Sequence, residues 1–244
     1  MQMIDILKQF KGVVDIPTEK GKLDSLYEQF RLMSKELLYG GYFLIEGKTR
    51  ICLDDIEFYY HEEGDGGLKD PIMYHTNDHE GKEIPYFEIG RLNLHISGVD
   101  VTFENEEKKY RASFLIRGFH VENDDEPYNP CSTEIKNFDP CSTHIYDKML
   151  YMGIPLGSAI EIEWVSKNNQ ENTPNELVGT PRKNVAEYEI DENGRYKKDE
   201  RGKYVKEPQN IQKPYNKDLF FSSSNNIYKR CQHKWRFKKD FVKD

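Results

Sequence analysis

The sequence predicts an α+β protein. Segments with strand chemistry outnumber helical ones, and the two kinds do not alternate in the regular order of a parallel βαβ fold. The chain has enough large apolar side chains for a packed core: its 244 residues are only 36% hydrophobic, but they include sixteen tyrosines and thirteen phenylalanines. That aromatic content is too high for a disordered chain. A chain of this length forms one large domain or two small ones.

The first long element is a helix predicted over residues 24–38. Its large apolar residues recur at spacings of three and four, which is the period of one helix face: Leu26, Phe30, Met33 and Leu37. Gly40 and Gly41 follow directly and are expected to end the helix.

Strands are predicted where apolar and polar residues alternate, in residues 42–46, 50–53, 56–60, 92–103, 112–119 and 158–165. Gly47 and Lys48 are expected to form a turn between the first two, and residues 104–109 a turn before the fifth. Gly98 marks a bulge or bend inside the fourth. Residues 61–83 are polar and contain several glycines, and a loop of that length is usually functional or disordered.

Residues 167–218 differ in composition from the rest of the chain. They contain few aliphatic side chains and carry a tandem eight-residue repeat, residues 191–198 and 199–206. The repeat predicts a small β-ribbon or an exposed insertion.

The charge of the chain is unevenly distributed. The formal net charge is −8, from 43 acidic and 35 basic residues, and such an acidic balance argues against a nucleic-acid partner. Residues 219–244, however, carry seven basic and only two acidic side chains, a net charge of +5, interleaved with aromatic residues. The whole-chain charge therefore conceals a candidate basic surface, although a solvated C-terminal helix or strand explains the same pattern.

Several classes of protein are disfavoured by what the sequence lacks. No run approaches 18 apolar residues, so no membrane span is predicted. The N-terminus has no signal-peptide pattern, and four cysteines do not form a disulfide framework, so a cytoplasmic location is expected. The cysteines show no CxxC pattern, which argues against a zinc cluster or a dithiol redox site. The chain also has no GxGxxG, GxxxxGK(S/T) or GxSxG motif.

The acidic strand segment at residues 54–61 contains the first candidate for catalysis. Strand alternation places Asp55, Glu57 and Tyr59 on one face. A carboxylate beside an aromatic ring suits a general base under a flat substrate. The alternative interpretation is a solvated acidic strand edge.

Histidines and one arginine are the other candidates. His75, His79 and His95 lie near several carboxylates and form a candidate metal site, although Pro71 and nearby turn residues argue against a regular helix there. One histidine activating water beside a carboxylate is an alternative role. Arg117 lies inside an apolar strand, so its guanidinium must meet a carboxylate, backbone carbonyls or a phosphate. A structural ion pair is equally consistent with that position.

Six short motifs follow one another along the chain: Leu32–Ile45, Glu57-Phe58-Tyr59, Asp70–His75, Phe114–Arg117, Thr180-Pro181-Arg182 and Lys234–Phe237. Taken in order, they resemble the alkyladenine (3-methyladenine) DNA glycosylase family. The resemblance covers most of the chain. It implies a single domain over residues 1–244, with a curved, mainly antiparallel sheet flanked by a few helices and a polar insertion at about residues 167–218.

The resemblance also implies base excision in DNA repair. A damaged or modified base is flipped out of the duplex, and water activated by Glu57 cleaves its N-glycosidic bond. Glu57, His75 and Arg117 take the catalytic roles, while Tyr59 and His95 stack on the base. The implied enzyme is monofunctional and monomeric, needs no metal or organic cofactor, and has DNA as its partner. The implied DNA contacts are Arg182, Lys229, Arg230, Lys234 and Arg236.

Two other function classes remain open from the sequence. The same fold is compatible with a non-catalytic module that binds nucleic acid or protein through the aromatic and basic C-terminus. A metal-dependent hydrolase built on His75, His79 and His95 is the third hypothesis.

Overall fold

The computed structural model describes residues 2–73, 75–95, 98–122, 161–167, 173–182, 189, 191, 197–205 and 233–240. The helices are α1 (Met3–Lys8), α2 (Glu19–Tyr39) and α3 (Asn77–Glu80). The strands are β1 (Gly41–Ile45), β2 (Thr49–Glu62), β3 (Leu92–His95), β4 (Gly98–Thr102), β5 (Tyr110–Glu122), β6 (Ile162–Ser166) and β7 (Arg236–Lys238). No helix among the described residues has the length and apolar character needed to cross a membrane.

All seven strands belong to one curled sheet in which every pairing is antiparallel. The order is β3-β4-β5-β2-β1-β6, and β7 pairs with the middle of β2. The two longest strands, β2 and β5, run side by side through the centre of the sheet. The α+β class and the antiparallel sheet predicted for this chain are therefore confirmed.

Helix α2 packs across one face of the sheet and forms the core with it. The four residues that predicted the helix are all buried: Leu26, Phe30, Met33 and Leu37. The ring of Phe30 stacks on Phe58 of β2, with the centroids 4.4 Å apart. The helix begins earlier than predicted because the Thr18 hydroxyl accepts a hydrogen bond from the Gly21 amide. It ends at Tyr39, directly before Gly40, as predicted.

A paired irregularity in the two central strands determines which side chains face the core. The register between β2 and β5 shifts around Asp54 and Arg117: Leu53 is opposite Phe119, Asp55 opposite Gly118 and Ile56 opposite Ile116. Before the shift Ile51 and Leu53 face the core, and after it even-numbered residues such as Ile56 do. Because side chains alternate along a strand, such bulges change whether the odd-numbered or the even-numbered residues point to a given face.

The opposite face of the sheet is polar, and we call it the polar face. Its acidic, basic and histidine residues come from β2, β5 and β7: Asp54, Asp55, Glu57, His61, Arg111, Arg117, His120 and Arg236. The Arg117 side chain is 18% exposed, and the other residues are at most 3% exposed. Buried charges require partners, so this face must be held together by ion pairs and hydrogen bonds.

Strand structure predicted over residues 92–103 is present, but as the two strands β3 and β4 and not as one strand with a bend at Gly98. The chain reverses there, and β3 pairs with β4 as a hairpin in which His95 lies opposite Gly98. Alternation of apolar and polar residues is the same in one long strand and in the two arms of a hairpin, so the pattern did not reveal the reversal.

Two smaller differences concern the remaining segments. The predicted strands 50–53 and 56–60 join into the single strand β2, and the predicted loop 61–83 contains the one-turn helix α3. Lys198, the last residue of the first repeat unit, pairs antiparallel with Tyr204 of the second unit around a turn, as a β-ribbon requires.

Candidate functional site

The candidate catalytic carboxylate of Glu57 lies in the middle of the polar face. Glu57 is opposite Leu115 of β5 and opposite Arg236 of β7. Its Oε1 accepts hydrogen bonds from the Tyr59 hydroxyl at 2.5 Å and from Nη2 of Arg117 at 2.7 Å. Glu57, Tyr59 and Arg117 thus converge on one point, and the shift in strand register places Arg117 there.

Burial and charge keep both donors in their protonated forms. Burial raises the pKa of the Tyr59 hydroxyl well above its ordinary value, and the negative charge of Glu57 raises it further. Burial alone lowers the pKa of Arg117, but Tyr59 and Glu57 outweigh it, so the pKa lies above its usual value. At neutral pH Tyr59 therefore faces Glu57 as a neutral phenol and Arg117 faces it as a guanidinium.

Arg236 lies next to Glu57 and is occupied by another carboxylate. Its Nε lies 2.9 and 3.0 Å from the two carboxylate oxygens of Asp55, and its Nη2 also contacts Asp55. Burial raises the pKa of Asp55, and Arg236 opposes that effect. The charge of Arg236 is therefore balanced inside the protein.

Arg182 supports Tyr59 from the segment that pairs with β7 through Thr180 and Arg236. It holds Asp70 through two hydrogen bonds, at 2.6 Å from Nη1 and 3.1 Å from Nη2. Its guanidinium carbon lies 5.1 Å from the ring centroids of both Tyr59 and Trp235. Arg182 therefore fixes the Tyr59 ring, and through it the hydroxyl that binds Glu57.

His75 lies in a different cluster of the polar face. Its Nε2 is 3.1 Å from Glu104, whose other oxygen is 3.1 Å from Nη1 of Arg111. Arg111 is opposite His61, four residues beyond Glu57 on β2, which corresponds to about 13 Å along a strand. The structure therefore brings Glu57, Tyr59 and Arg117 together but groups His75 with Glu104 and Arg111.

The residues assigned to DNA contact fall in three kinds of position. Arg182 and Arg236 are 5% and 3% exposed, and each is paired with a carboxylate. Lys234 is half-buried in the segment before β7. Lys229 and Arg230 lie outside the described residues, and so do the side chains of His79 and His95.

A third cluster of charges surrounds Asp78 on α3. Its carboxylate contacts Nε2 of His61 at 3.2 Å, Nζ of Lys69 at 3.1 Å and the Tyr204 hydroxyl at 2.8 Å, and it also contacts Lys198. Burial raises the pKa of Asp78, but His61 and Lys198 outweigh it and hold the pKa below the ordinary value. Asp78 thereby joins the end of β2 to the repeat ribbon.

We expect Asp78→Asn to lower the free energy of unfolding by about 1–3 kcal/mol at pH 7, because buried donors lose their charged acceptor. A carboxylate whose pKa is depressed by folding stabilises above its unfolded pKa, and that contribution falls as the pH drops below it. The difference from the parent should therefore shrink below about pH 4. Urea unfolding between pH 7 and 3 measures it, with Asp15→Asn as a control since that side chain is 90% exposed. An equal loss of unfolding free energy in Asp78→Asn and Asp15→Asn, or a loss in Asp78→Asn that does not change with pH, would contradict this role.

A fourth cluster lies at the other end of β2 and β5. His120 Nδ1 is 2.5 Å from Asp54 and its Nε2 is 3.3 Å from Glu122, while Cys52 lies directly opposite His120. Burial lowers the pKa of His120, but the hydrogen bond to Asp54 outweighs it and raises the pKa to about 10. The hydrogen bond from His120 lowers the pKa of Glu122 to about 2.

A groove of about 1080 Å³ opens elsewhere on the protein. Residues 64–69, the segment around Ile16 and the ribbon line it, and Glu57, Tyr59 and Arg117 do not. Its lysines are Lys22, Lys69, Lys197 and Lys198, and its acidic residues are Glu19, Asp65, Asp78 and Asp191. Opposite charges are therefore balanced in the groove.

Sequence reasoning missed the pairing of Asp70 with Arg182 and the Cys52–His120 cluster. Asp70 meets Arg182 across 112 residues of sequence, and no local pattern pairs them.

Comparison with known proteins identifies no relative: no protein-family model, no curated protein and no solved structure matches this chain.

Proposed function

We propose that this protein is a DNA glycosylase-like hydrolase that cleaves the N-glycosidic bond of a flipped-out base. The observation that carries the proposal is the convergence of Tyr59 and Arg117 on one carboxylate oxygen of Glu57, although Arg117 is 60 residues away in sequence. The order of six motifs that resemble alkyladenine DNA glycosylases supports the substrate class. An antiparallel sheet carrying the acidic residue on its polar face is compatible with that fold.

In the proposed reaction Glu57 acts as the general base. It takes a proton from water, the water oxygen attacks C1′ of the nucleotide, and the C1′–N bond electrons leave with the base. The products are a free base, once protonated, and an abasic sugar. The carboxylate also stabilises the positive charge that develops on the sugar in the transition state.

The contacts suggest a positioning role for both donors. Arg117 and Tyr59 fix the Glu57 carboxylate, and the Tyr59 ring is itself held by Arg182. Tyr59 is therefore proposed to orient Glu57 rather than to stack on the base. This route uses no metal or organic cofactor.

Substrate binding must uncover the site. Glu57 is 0% exposed, so a base reaches it only when the groups that cover the polar face move aside. Base flipping itself costs roughly a few kcal/mol of unstacking. Damaged or mispaired bases, which are already weakly stacked, are therefore the expected substrates.

Base release from damaged duplex DNA tests the proposal. The purified protein is incubated with methylated and deaminated duplexes, and free bases are measured by mass spectrometry alongside abasic sites. We expect free base and abasic sites in equal amounts. DNA affinity should fall linearly with salt concentration on a log–log plot, because phosphate contacts release counterions. No base release from any of these duplexes would overturn the proposal.

The groove supports a second candidate, a non-catalytic binding module. The groove is a concave surface of a size suited to a ligand, and Glu57 does not line it. Its balanced charges favour a polar peptide over a polyanion. Binding that is lost in Lys197→Glu but unaffected by Glu57→Gln, without base release, would identify this second function.

A further inference from the structure

Cys52, His120 and Glu122 occupy one corner of the polar face that the proposed glycosylase chemistry does not use. Cys52 on β2 is directly opposite His120 on β5, and Glu122 lies two residues further along the same strand. One ligand atom from each residue, the thiol sulfur, a ring nitrogen and a carboxylate oxygen, lies within 4.8 Å of the other two. A bound cation at usual ligand distances therefore needs only small side-chain adjustments.

The orientation of His120 suits a metal ligand. Asp54 accepts the Nδ1 proton at 2.5 Å, which leaves Nε2 directed toward Glu122 at 3.3 Å. Histidines that bind metals almost always donate their other ring N–H to a carboxylate or carbonyl in this way. Asp54 is itself fixed by Nζ of Lys239 at 2.7 Å.

A second cluster of potential ligands shows why the ring orientation matters. His61, Glu63 and Asp78 also bring ligand atoms within 4.8 Å of one another. The Nδ1 of His61, however, accepts the backbone N–H of Asp70 at 3.1 Å, so the ring proton resides on Nε2. A cation at Nε2 would require a doubly deprotonated ring, and that cluster is therefore disfavoured as a metal site.

The donor set also selects the kind of cation. Thiolate and imidazole are poor ligands for Mg²⁺ and Ca²⁺ but good ones for Zn²⁺. Lys167 Nζ lies 3.9 Å from the sulfur of Cys52. The Glu122 side chain is 18% exposed while Cys52 is buried, so a cation enters from the Glu122 side.

We propose that Cys52, His120 and Glu122 bind a thiophilic divalent cation of the Zn²⁺ class, with Asp54 orienting the histidine. The cation takes the place of the proton between His120 Nε2 and Glu122, and the thiol loses its proton to solvent. A fourth position remains for water. The site links β2 to the end of β5 and does not depend on the chemistry proposed for Glu57.

Cobalt substitution tests the site with an optical signal that requires a thiolate ligand. A variant with Cys131, Cys141 and Cys231 replaced by serine keeps Cys52 as its only cysteine. We expect it to bind one equivalent of Co²⁺ with a thiolate-to-cobalt charge-transfer band in the near ultraviolet, which Zn²⁺ should abolish by competition. Adding Cys52→Ser should remove the band. Its absence with Cys52 present, or its persistence without Cys52, would overturn the proposal.

Two Glu→Gln substitutions test the same site with less risk of misfolding. Glu122→Gln should weaken Zn²⁺ binding at least tenfold, because even the loss of a group that only orients a ligand costs about tenfold or more. Glu163→Gln on β6 should leave it unchanged. Glu163 is exposed, so the same substitution there controls for loss of surface charge. Circular dichroism and melting curves confirm that each protein is folded. Equal affinity in both variants, or binding that depends on Asp78 instead, would refute the site.

Discussion

Replacing Arg182 with methionine is expected to lower the free energy of unfolding by about 3–5 kcal/mol, because it leaves Asp70 as an unpaired buried carboxylate. The two side chains are 0% and 1% exposed, and the guanidinium contacts both carboxylate oxygens. Methionine retains a long, adaptable side chain, so the loss reports the ion pair more than a cavity. Urea unfolding measures this loss of stability, provided that the slope of the unfolding free energy against urea concentration is the same for the parent and the variant.

A double substitution separates the charge from the packing. Arg182→Met combined with Asp70→Leu should recover much of the lost stability, since apolar side chains often replace a buried ion pair at little cost. The coupling between the two positions follows from the double-mutant cycle. A double variant no more stable than Arg182→Met alone would show that the ion pair does not hold this region together.

The variant Glu57→Gln is expected to reduce the rate of base release by about 10²–10⁴-fold, the usual contribution of a general base. Glutamine keeps the shape of the side chain but cannot accept the proton from water. DNA affinity at a fixed salt concentration should change little, because Glu57 makes no phosphate contact in the proposed mechanism. Single-turnover base release and equilibrium binding distinguish the two effects.

Two further variants serve as controls for Glu57→Gln. Tyr59→Phe removes one hydrogen bond to Glu57 and should reduce the rate less than loss of the carboxylate. Glu104→Gln removes a similarly buried carboxylate from the cluster that contains His75, and it should affect stability more than base release. Unchanged base release in Glu57→Gln would contradict the enzyme hypothesis. Loss of activity in Glu104→Gln equal to that in Glu57→Gln would return His75 to the catalytic site.

Local pattern was sufficient to predict the elements that depend on neighbouring residues. The apolar spacing from Leu26 to Leu37 predicted helix α2, and alternation predicted the strands that became β1 and β5. Arg117 was expected to meet a carboxylate, backbone carbonyls or a phosphate because a charge inside an apolar strand needs a partner, and that partner is the carboxylate of Glu57. In each case the physical requirement is visible within a few residues.

Pairings across long stretches of sequence were not predictable in this way. Asp55 meets Arg236 across 181 residues, and Asp70 meets Arg182 across 112. Such partners depend on strand register, which no periodicity in a single sequence reports. The same limitation hid the separation of His75 from Glu57 and the approach of Cys52 to His120.

The paired register shift at Asp54 and Arg117 has a consequence for how many sites the sheet can hold. In an uninterrupted strand, Cys52 and Asp54 would share a face with Ile56 and so would point into the core. The shift reverses the alternation of side chains partway along β2, so both halves of the strand present polar side chains on the same face of the sheet. Two chemically different centres, one around Glu57 and one around Cys52, can therefore occupy a single strand without either one disrupting the packing beneath helix α2.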